Sequence, residues 1–372
     1  MEQKILLADE SYSELDMFLV KLSVKKVLLV CDSALPFLKL STYFDSAEAR
    51  LGIKFFKFNE FKPNPDYEAV VSGVQCFRDN SCEMIIAIGG GSAIDVAKCI
   101  KLYSNMRPGQ CYLKQKIIPN EVELLVIPTT AGTGSESTRY AVIYYKGEKQ
   151  SVTDNSCIPQ AVLFDASVLE TLPCYQRKVT MMDALCHAIE SYWSVNSNVE
   201  SRKYSRKAIE AILDNYESYL NNEESGNLNM LEAANMAGKA INITQTTAGH
   251  AMSYKLTSMY GIAHGHAVAL CVSKLWPYMI RNIQSDCTDE RGEEYLRQTF
   301  LELAEVMGGK DIYEAVEKFD NILGELNLFV PSVKEQDIEI LTNSVNEIRL
   351  KNNPIKLDKS DINILYHQIL VQ

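Results

Sequence analysis

What would carry this chain across or into a membrane is missing. No stretch reaches the roughly twenty apolar residues that a spanning helix needs, so no membrane partner is expected. The start has no basic region followed by an apolar core, which sets aside a secretory leader and leads to the expectation of a cytoplasmic location. Basic charge is also in short supply: 37 Lys and Arg face 48 Asp and Glu, a formal net charge of −11. That balance argues against nucleic acid or an anionic membrane surface as partner, since both require a basic face. It leaves a small anionic substrate open. Ten cysteines are present, yet none forms a Cys-x-x-Cys pair, so neither a disulfide framework nor a thiolate zinc site is expected. Cys31 and Cys99 sit in apolar runs and read as small buried hydrophobes. No internal repeat or low-complexity tract is present.

Histidine is scarce too, five in 372 residues, but His187, His250, His264 and His266 crowd into one window with Asp183. Asp183 and His187 stand at i and i+4, one turn apart on one helix face, where a metal ion can sit between them. The run through His250 also reads as helix and puts Tyr254 one turn further along the same face. In an unbroken helix His264 would lie about 21 Å from His250 at ~1.5 Å per residue. Two ligands of one ion lie only ~4 Å apart, so the chain is expected to fold back near Gly261. One Asp and three His offer only oxygen and nitrogen donors, a set that suits Fe(II) or Zn(II). Any one of these histidines alone reads as a hydrogen-bonded core residue; four ligand types at this spacing favour the metal. Cys186 is a weaker alternative ligand, because it shares the Asp183 face only approximately.

The first half alternates short β-rich runs (26–30, 53–58, 84–88, 124–127, 161–164) with helix-patterned segments such as 66–78 and 92–104, the pattern of a parallel sheet covered on both faces. Beyond Pro173 the pattern is helical almost throughout, which predicts an α/β domain over 1–173 and a helical domain over 174–372. The Gly89-Gly90-Gly91-Ser92 turn follows a buried strand and opens a helix, a seat for pyrophosphate although the Gly-x-Gly-x-x-Gly spacing is absent. Asp32, just past the first of these runs, either accepts hydrogen bonds from a ribose diol and repels a 2′-phosphate, or caps a helix. Asn64, in the rigid Lys62-Pro63-Asn64-Pro65 turn, is placed to face the same cleft. The hydroxyl-rich loop from Thr129 to Thr138 ends a strand where doubly wound sheets bind ligands.

With these residues in view, the chain resembles the iron-containing (group III) alcohol dehydrogenases along essentially its whole length. The resemblance rests on Gly89 to Ser92, on Pro128 to Thr133, on the run from Asp183 to Glu190, on His250, on His264-Gly265 and on Asn352-Asn353-Pro354. It implies a dehydroquinate synthase-like fold: a Rossmann-like nucleotide-binding α/β domain followed by an all-α metal-binding domain. It places metal ligands at Asp183, His187, His250 and His264. It places cofactor contacts at Asp32, Asn64, Gly90, Gly91, Ser92, Asp95, Thr129, Thr130, Thr133, Ser135, Thr138 and Lys149, with NAD(H) preferred over NADP(H), and it implies a homodimer. Many members carry a histidine where this chain has Tyr254. The run from Thr246 to Ala267 looks most like the phosphonoacetaldehyde reductase branch, which implies reduction of that aldehyde to 2-hydroxyethylphosphonate. The alternatives are a general short-chain alcohol or lactaldehyde dehydrogenase, and a non-catalytic nucleotide or metal sensor. Metal-linked water, Tyr254 or His266 would supply the proton. Arg139, Ser253, Lys255 and His266 are the candidates for holding a phosphonate.

Overall fold

The structure, a computed structural model, describes residues 3–371. The chain divides into two compact units, one made of Met1–Pro173 with Asn221–Asn235 and the other of Cys174–Leu220 with Met236–Gln372.

In the first unit, strands β1 (Lys4–Leu7), β2 (Lys26–Cys31), β3 (Lys54–Phe58), β4 (Met84–Gly89), β5 (Glu123–Pro128) and β8 (Ala161–Phe164) form one sheet in the order β1-β8-β5-β4-β2-β3. Every pairing is parallel. All six residues of β4 are buried, as are Leu124 to Pro128 of β5, because both faces of a parallel sheet are covered and the strands must read as unbroken apolar runs. Helices α1 (Ser13–Leu22), α2 (Leu40–Leu51), α3 (Tyr67–Asp79) and α4 (Gly91–Tyr103) lie between the strands in sequence. The β-patterned run after the hydroxyl loop stays outside this sheet. It forms a separate antiparallel hairpin, β6 (Tyr140–Tyr145) with β7 (Glu148–Thr153), whose connecting Lys146 and Gly147 both take positive φ, the geometry of a two-residue hairpin turn.

The parallel register is what assembles a site. Cys31 pairs with Ile88 and Gly89 with Pro128, so the C-terminal ends of β2, β4 and β5 finish level. The chain order reverses between β2 and β4, the switch point where such sheets bind ligands.

The second unit is built from helices: α5 (Cys174–Trp193), α6 (Val199–Leu220), α8 (Ala248–Tyr260), α9 (His264–Arg281), α10 (Ile283–Asp286), α11 (Glu293–Val306), α12 (Ile312–Glu325), α13 (Glu335–Ser344), α14 (Glu347–Leu350) and α15 (Lys359–Leu370). Helix α7 (Glu224–Thr244) ends in this unit. α5 packs against both α6 and α9, and α8 packs against α9, so α5 is buried continuously from Met181 to Trp193. α8 stops at Gly261, whose φ of 65° is the left-handed C-cap that glycine adopts most readily, and α9 restarts three residues later. Among the described residues no helix is long and apolar enough to cross a membrane.

Candidate active site

Asp183 and His187 project from consecutive turns of α5, and His250 comes from the first turn of α8. One ligand-type atom from each lies within 4.8 Å of the other two, and all three residues are buried. Asp183 Oδ1 stands 3.6 Å from His250 Nε2, and the His187 and His250 rings stack with centres 4.4 Å apart. Neither Asp183 Oδ1 nor His250 Nε2 has a hydrogen-bond partner, although both are buried. Leaving such an atom unsatisfied costs about 1–3 kcal/mol. A carboxylate oxygen and an imidazole nitrogen aimed at one point are satisfied together by a divalent cation, so the residues present fit a metal ion. Burial alone would raise the Asp183 pKa, but His187, His250 and His264 outweigh it and hold the carboxyl well below its ordinary range. His264 opens α9 and its ring lies 5.4 Å from that of His250, so the fold-back at Gly261 brings it to the cluster's side. It is not part of the three-residue group; its Nδ1 sits 3.4 Å from the Ser253 hydroxyl instead.

Sequence reasoning gave Glu190 no role. It is fully buried and accepts hydrogen bonds from the backbone N–H of Thr247 at 2.7 Å and of His250 at 3.0 Å, and it pairs with His250 Nδ1 at 2.9 Å. The carboxylate puts the ring proton on Nδ1 and turns Nε2 toward Asp183, the arrangement in which a second carboxylate orients a metal-binding imidazole. Burial pulls the His250 pKa down, but Glu190 and Asp183 carry it up to about 9. Position 249 has to be glycine, since a Cβ there would come within 2.1 Å of Glu190 Oε1. A signal was present: Glu190 lies seven residues after Asp183, on the same helix face.

Tyr254 stacks on His264, ring centres 5.4 Å apart and planes within 6°. Its hydroxyl accepts a hydrogen bond from Arg349 Nη1 at 3.1 Å, a residue on α14 with no local sequence signal. Burial raises the phenol pKa further above neutrality, so Tyr254 keeps its proton.

The remaining candidates in this unit fare differently. His266 is fully buried with both ring nitrogens engaged: Nδ1 bonds the Tyr175 hydroxyl at 3.0 Å and Nε2 the Phe329 carbonyl at 2.8 Å. That corrects the expectation of a proton donor or phosphonate contact there, since the imidazole has no nitrogen to spare. Its bonds brace the start of α9, and Tyr175 in turn accepts the Ala263 N–H. Ser253 is fully buried and donates to the His250 carbonyl at 2.8 Å, so it supports the cluster rather than opening to substrate. Lys255 is half-buried on α8 and forms no ion pair among the described residues.

In the first unit, Gly89, Gly90 and Gly91 carry the chain from β4 into α4. Gly89 takes φ +154°, and a Cβ there would meet Asp32 Oδ2 at 2.8 Å, while a Cβ on Gly91 would meet Thr133 at 3.1 Å. The turn therefore has no room for side chains. Gly90 precedes α4 without a side-chain cap, so the first-turn N–H groups and the positive end of the helix remain for an anion, and the residues present fit a nucleotide pyrophosphate. Thr130 and Thr133 line Gly90 and Gly91, and the Thr129 N–H bonds Gly89 O. The Asn64 N–H reaches Ser92 Oγ at 3.3 Å. Asp32 closes a local turn, its Oδ1 accepting the Ala34 N–H, without capping the short helix that follows, while Oδ2 faces Gly89.

Other expected cofactor contacts are committed inside the protein. Asp95 accepts from Ser135 Oγ at 2.7 Å and from the Val142 N–H at 2.9 Å. Lys98, which sequence reasoning passed over, is fully buried and bonds Ser135 Oγ, the Thr138 carbonyl and hydroxyl, and the Tyr140 carbonyl. Asp95, Lys98, Ser135 and Thr138 thus anchor the hydroxyl loop to α4. Lys149 lies on β7 opposite Tyr144, its charge near enough to favour ionised Asp95. Arg139 lies across the ring of its neighbour Tyr140 and bonds its hydroxyl.

A parallel sheet with a glycine turn at a helix N-terminus, joined in one chain to a helical unit that gathers a carboxylate and imidazoles, offers one place that fits a nucleotide and another that fits a divalent metal ion. Comparison with known proteins makes this specific. Residues 2–166 match the family described as Iron-containing alcohol dehydrogenase, and residues 178–370 the one described as Fe-containing alcohol dehydrogenase family, C-terminal. The chain belongs to the iron-containing alcohol dehydrogenase family. It is 28% identical over 310 residues to the phosphonoacetaldehyde reductase of Streptomyces viridochromogenes, covering 79% of this chain and 78% of that one. It is likewise 28% identical over 363 residues to long-chain-alcohol dehydrogenase 1 of Geobacillus thermodenitrificans, covering 93% and 90%. The crystal structure of sulfoacetaldehyde reductase from Bifidobacterium kashiwanohense in complex with NAD+ matches the fold with a TM-score of 0.84 at 23% identity, covering 100% of this chain and 97% of that one.

Proposed function

We propose that the protein is a metal-dependent, NADH-preferring reductase that converts phosphonoacetaldehyde and a proton to 2-hydroxyethylphosphonate, with oxidation of NADH to NAD+. The observation that carries the reductase reading is the buried pair of unsatisfied atoms, Asp183 Oδ1 and His250 Nε2, with a protonated phenol next to the cluster. The phosphonate substrate is supported by the 28% identical reductase of that name. Asp183, His187 and His250, joined by His264, would hold one divalent ion, Fe(II) or Zn(II), and that ion supplies Lewis-acid polarisation of the carbonyl when bound. Glu190 fixes the direction of His250. Tyr254 holds a proton for the alkoxide that hydride transfer leaves. On the nucleotide side, within 1–173, the Gly89–Gly91 turn takes the pyrophosphate and Asp32 the ribose hydroxyls of NADH.

A general alcohol dehydrogenase is the second reading, favoured by the equal identity of the long-chain-alcohol dehydrogenase over more of the chain. The test is NADH oxidation by metal-loaded protein with phosphonoacetaldehyde and, separately, with propanal and longer alkyl aldehydes. A higher kcat/KM for phosphonoacetaldehyde supports the phosphonate reading; a higher value for an alkyl aldehyde replaces it with the general one. Absence of turnover with every aldehyde discards both in favour of a sensor. We also propose a homodimer, to be measured by light scattering in solution.

A further inference from the structure

A dianionic group next to the metal cluster needs a cation that no carboxylate has already neutralised. Of the cations anticipated from sequence, His266 is consumed by its own hydrogen bonds, Arg139 lies across Tyr140, and Lys255, though it forms no ion pair among the described residues, lies about 100° round α8 from Tyr254. Arg349 does fit. Its guanidinium carbon lies 5.1 Å from the centre of the Tyr254 ring, and Nη1 donates to the Tyr254 hydroxyl at 3.1 Å. Tyr254 stacks on His264, which packs against His250. A run of direct contacts therefore leads from this cation to the cluster, all within the helical unit. Guanidinium offers five N–H donors in a fixed fork that matches an oxyanion, and the bond to Tyr254 uses one. No carboxylate forms an ion pair with Arg349 among the described residues, in a chain whose net charge is −11.

The tyrosine fits the same purpose. Its phenol oxygen accepts from the guanidinium, and the face of its ring attracts the cation. A tie holding α14 in place would not need a charged group, since a neutral donor would satisfy the phenol equally.

We propose that Arg349, oriented by Tyr254, binds the anionic end of a short aldehyde substrate that carries an oxyanion such as a phosphonate. The proposal rests on the reductase reading above and names the group that sets its substrate class.

The test uses metal-loaded enzyme and the variants Arg349→Ala, Arg349→Lys and Tyr254→Phe. Calorimetric titration measures binding of 2-hydroxyethylphosphonate, and steady-state assays compare phosphonoacetaldehyde with propanal. Charge-assisted hydrogen bonds are worth about 1.5–3 kcal/mol, so Arg349→Ala should weaken phosphonate binding and raise KM for phosphonoacetaldehyde by about 10- to 100-fold. KM for propanal, which has no anionic end to lose, should change by less than about threefold. Arg349→Lys keeps the charge but loses the fork and should fall between. Unchanged binding of 2-hydroxyethylphosphonate in Arg349→Ala overturns the proposal, and so does an equal rise in KM for both aldehydes in that variant, the signature of a structural tie; Tyr254→Phe is read by 2-hydroxyethylphosphonate binding alone, which should weaken as the orienting bond is lost. If the unmodified enzyme reduces propanal but does not bind 2-hydroxyethylphosphonate, the anion site fails while the reductase reading stands. If it reduces no aldehyde yet binds the phosphonate through Arg349, the reductase reading fails and the anion site stands.

Discussion

The two units prepare for their ligands in opposite ways. In the α/β unit the polar side chains around the glycine turn satisfy one another: Ser135 donates to Asp95 and bonds Lys98, which also holds Thr138 and Tyr140. What remains for an anion is backbone, the first turn of α4 behind three glycines. In the helical unit it is side-chain atoms that lack partners, Asp183 Oδ1 and His250 Nε2. A site made of backbone is tolerant of side-chain chemistry nearby but depends on a rigid loop. A site made of side chains depends on each ligand and on what orients it.

Removing a ligand should break this contrast most sharply. Asp183→Ala or His250→Ala is expected to lose bound metal and activity below detection, with the dissociation constant for NADH within about threefold of the original, less than ~0.7 kcal/mol. Metal analysis beside a fluorescence titration of NADH reads both. Normal turnover by metal-free His250→Ala protein would refute the metal role.

On the nucleotide side the expected damage is to stability. Lys98→Met removes the fully buried ammonium that bonds Ser135, Thr138 and Tyr140 and whose charge favours ionised Asp95, and leaving buried acceptors without their donor costs about 1–3 kcal/mol. Urea unfolding should show that loss, and Asp95→Asn in the same chain should recover part of it. A stability unchanged by Lys98→Met would mean that the loop holds without its anchor.

Glu190→Gln sharpens the comparison from the other side, because it keeps the shape while removing the charge that orients His250. Metal affinity, measured by competition with a chelator, should fall about 10- to 100-fold. Folding should survive, as an amide oxygen in the place of Oε2 still accepts two of the three bonds. An affinity equal to that of the unmodified protein would reduce Glu190 to a packing residue.

The smallest effect expected is at Asp32. Asp32→Gly should relax the preference for NADH over NADPH by about tenfold, 1.4 kcal/mol, read as the ratio of kcat/KM for the two cofactors. Equal use of both by the unmodified enzyme would show that the turn bond to Ala34 is the residue's only role.

Local pattern alone was enough for the architecture. Unbroken apolar runs such as Met84 to Gly89 had to be strands covered on both faces, the glycine turn had to open a helix, and Asp183 and His187 at i and i+4 had to share a face. An edge element escaped: β1 is no shorter than β8 but buries only Leu6, and the run at 140–145 shows β patterning without saying that its partner is the next strand rather than the sheet. Which polar atom meets which was decided only by packing. Glu190 reaches His250 across 60 residues, and Arg349 reaches Tyr254 across 95. His266, two residues beyond His264, carries the same side chain, yet α9 directs it to Tyr175 and Phe329, where its nitrogens are used up. A helix period fixes the face on which a residue lies, because the backbone geometry is local. The neighbour across that face depends on how separate helices meet, and no period within either helix encodes it.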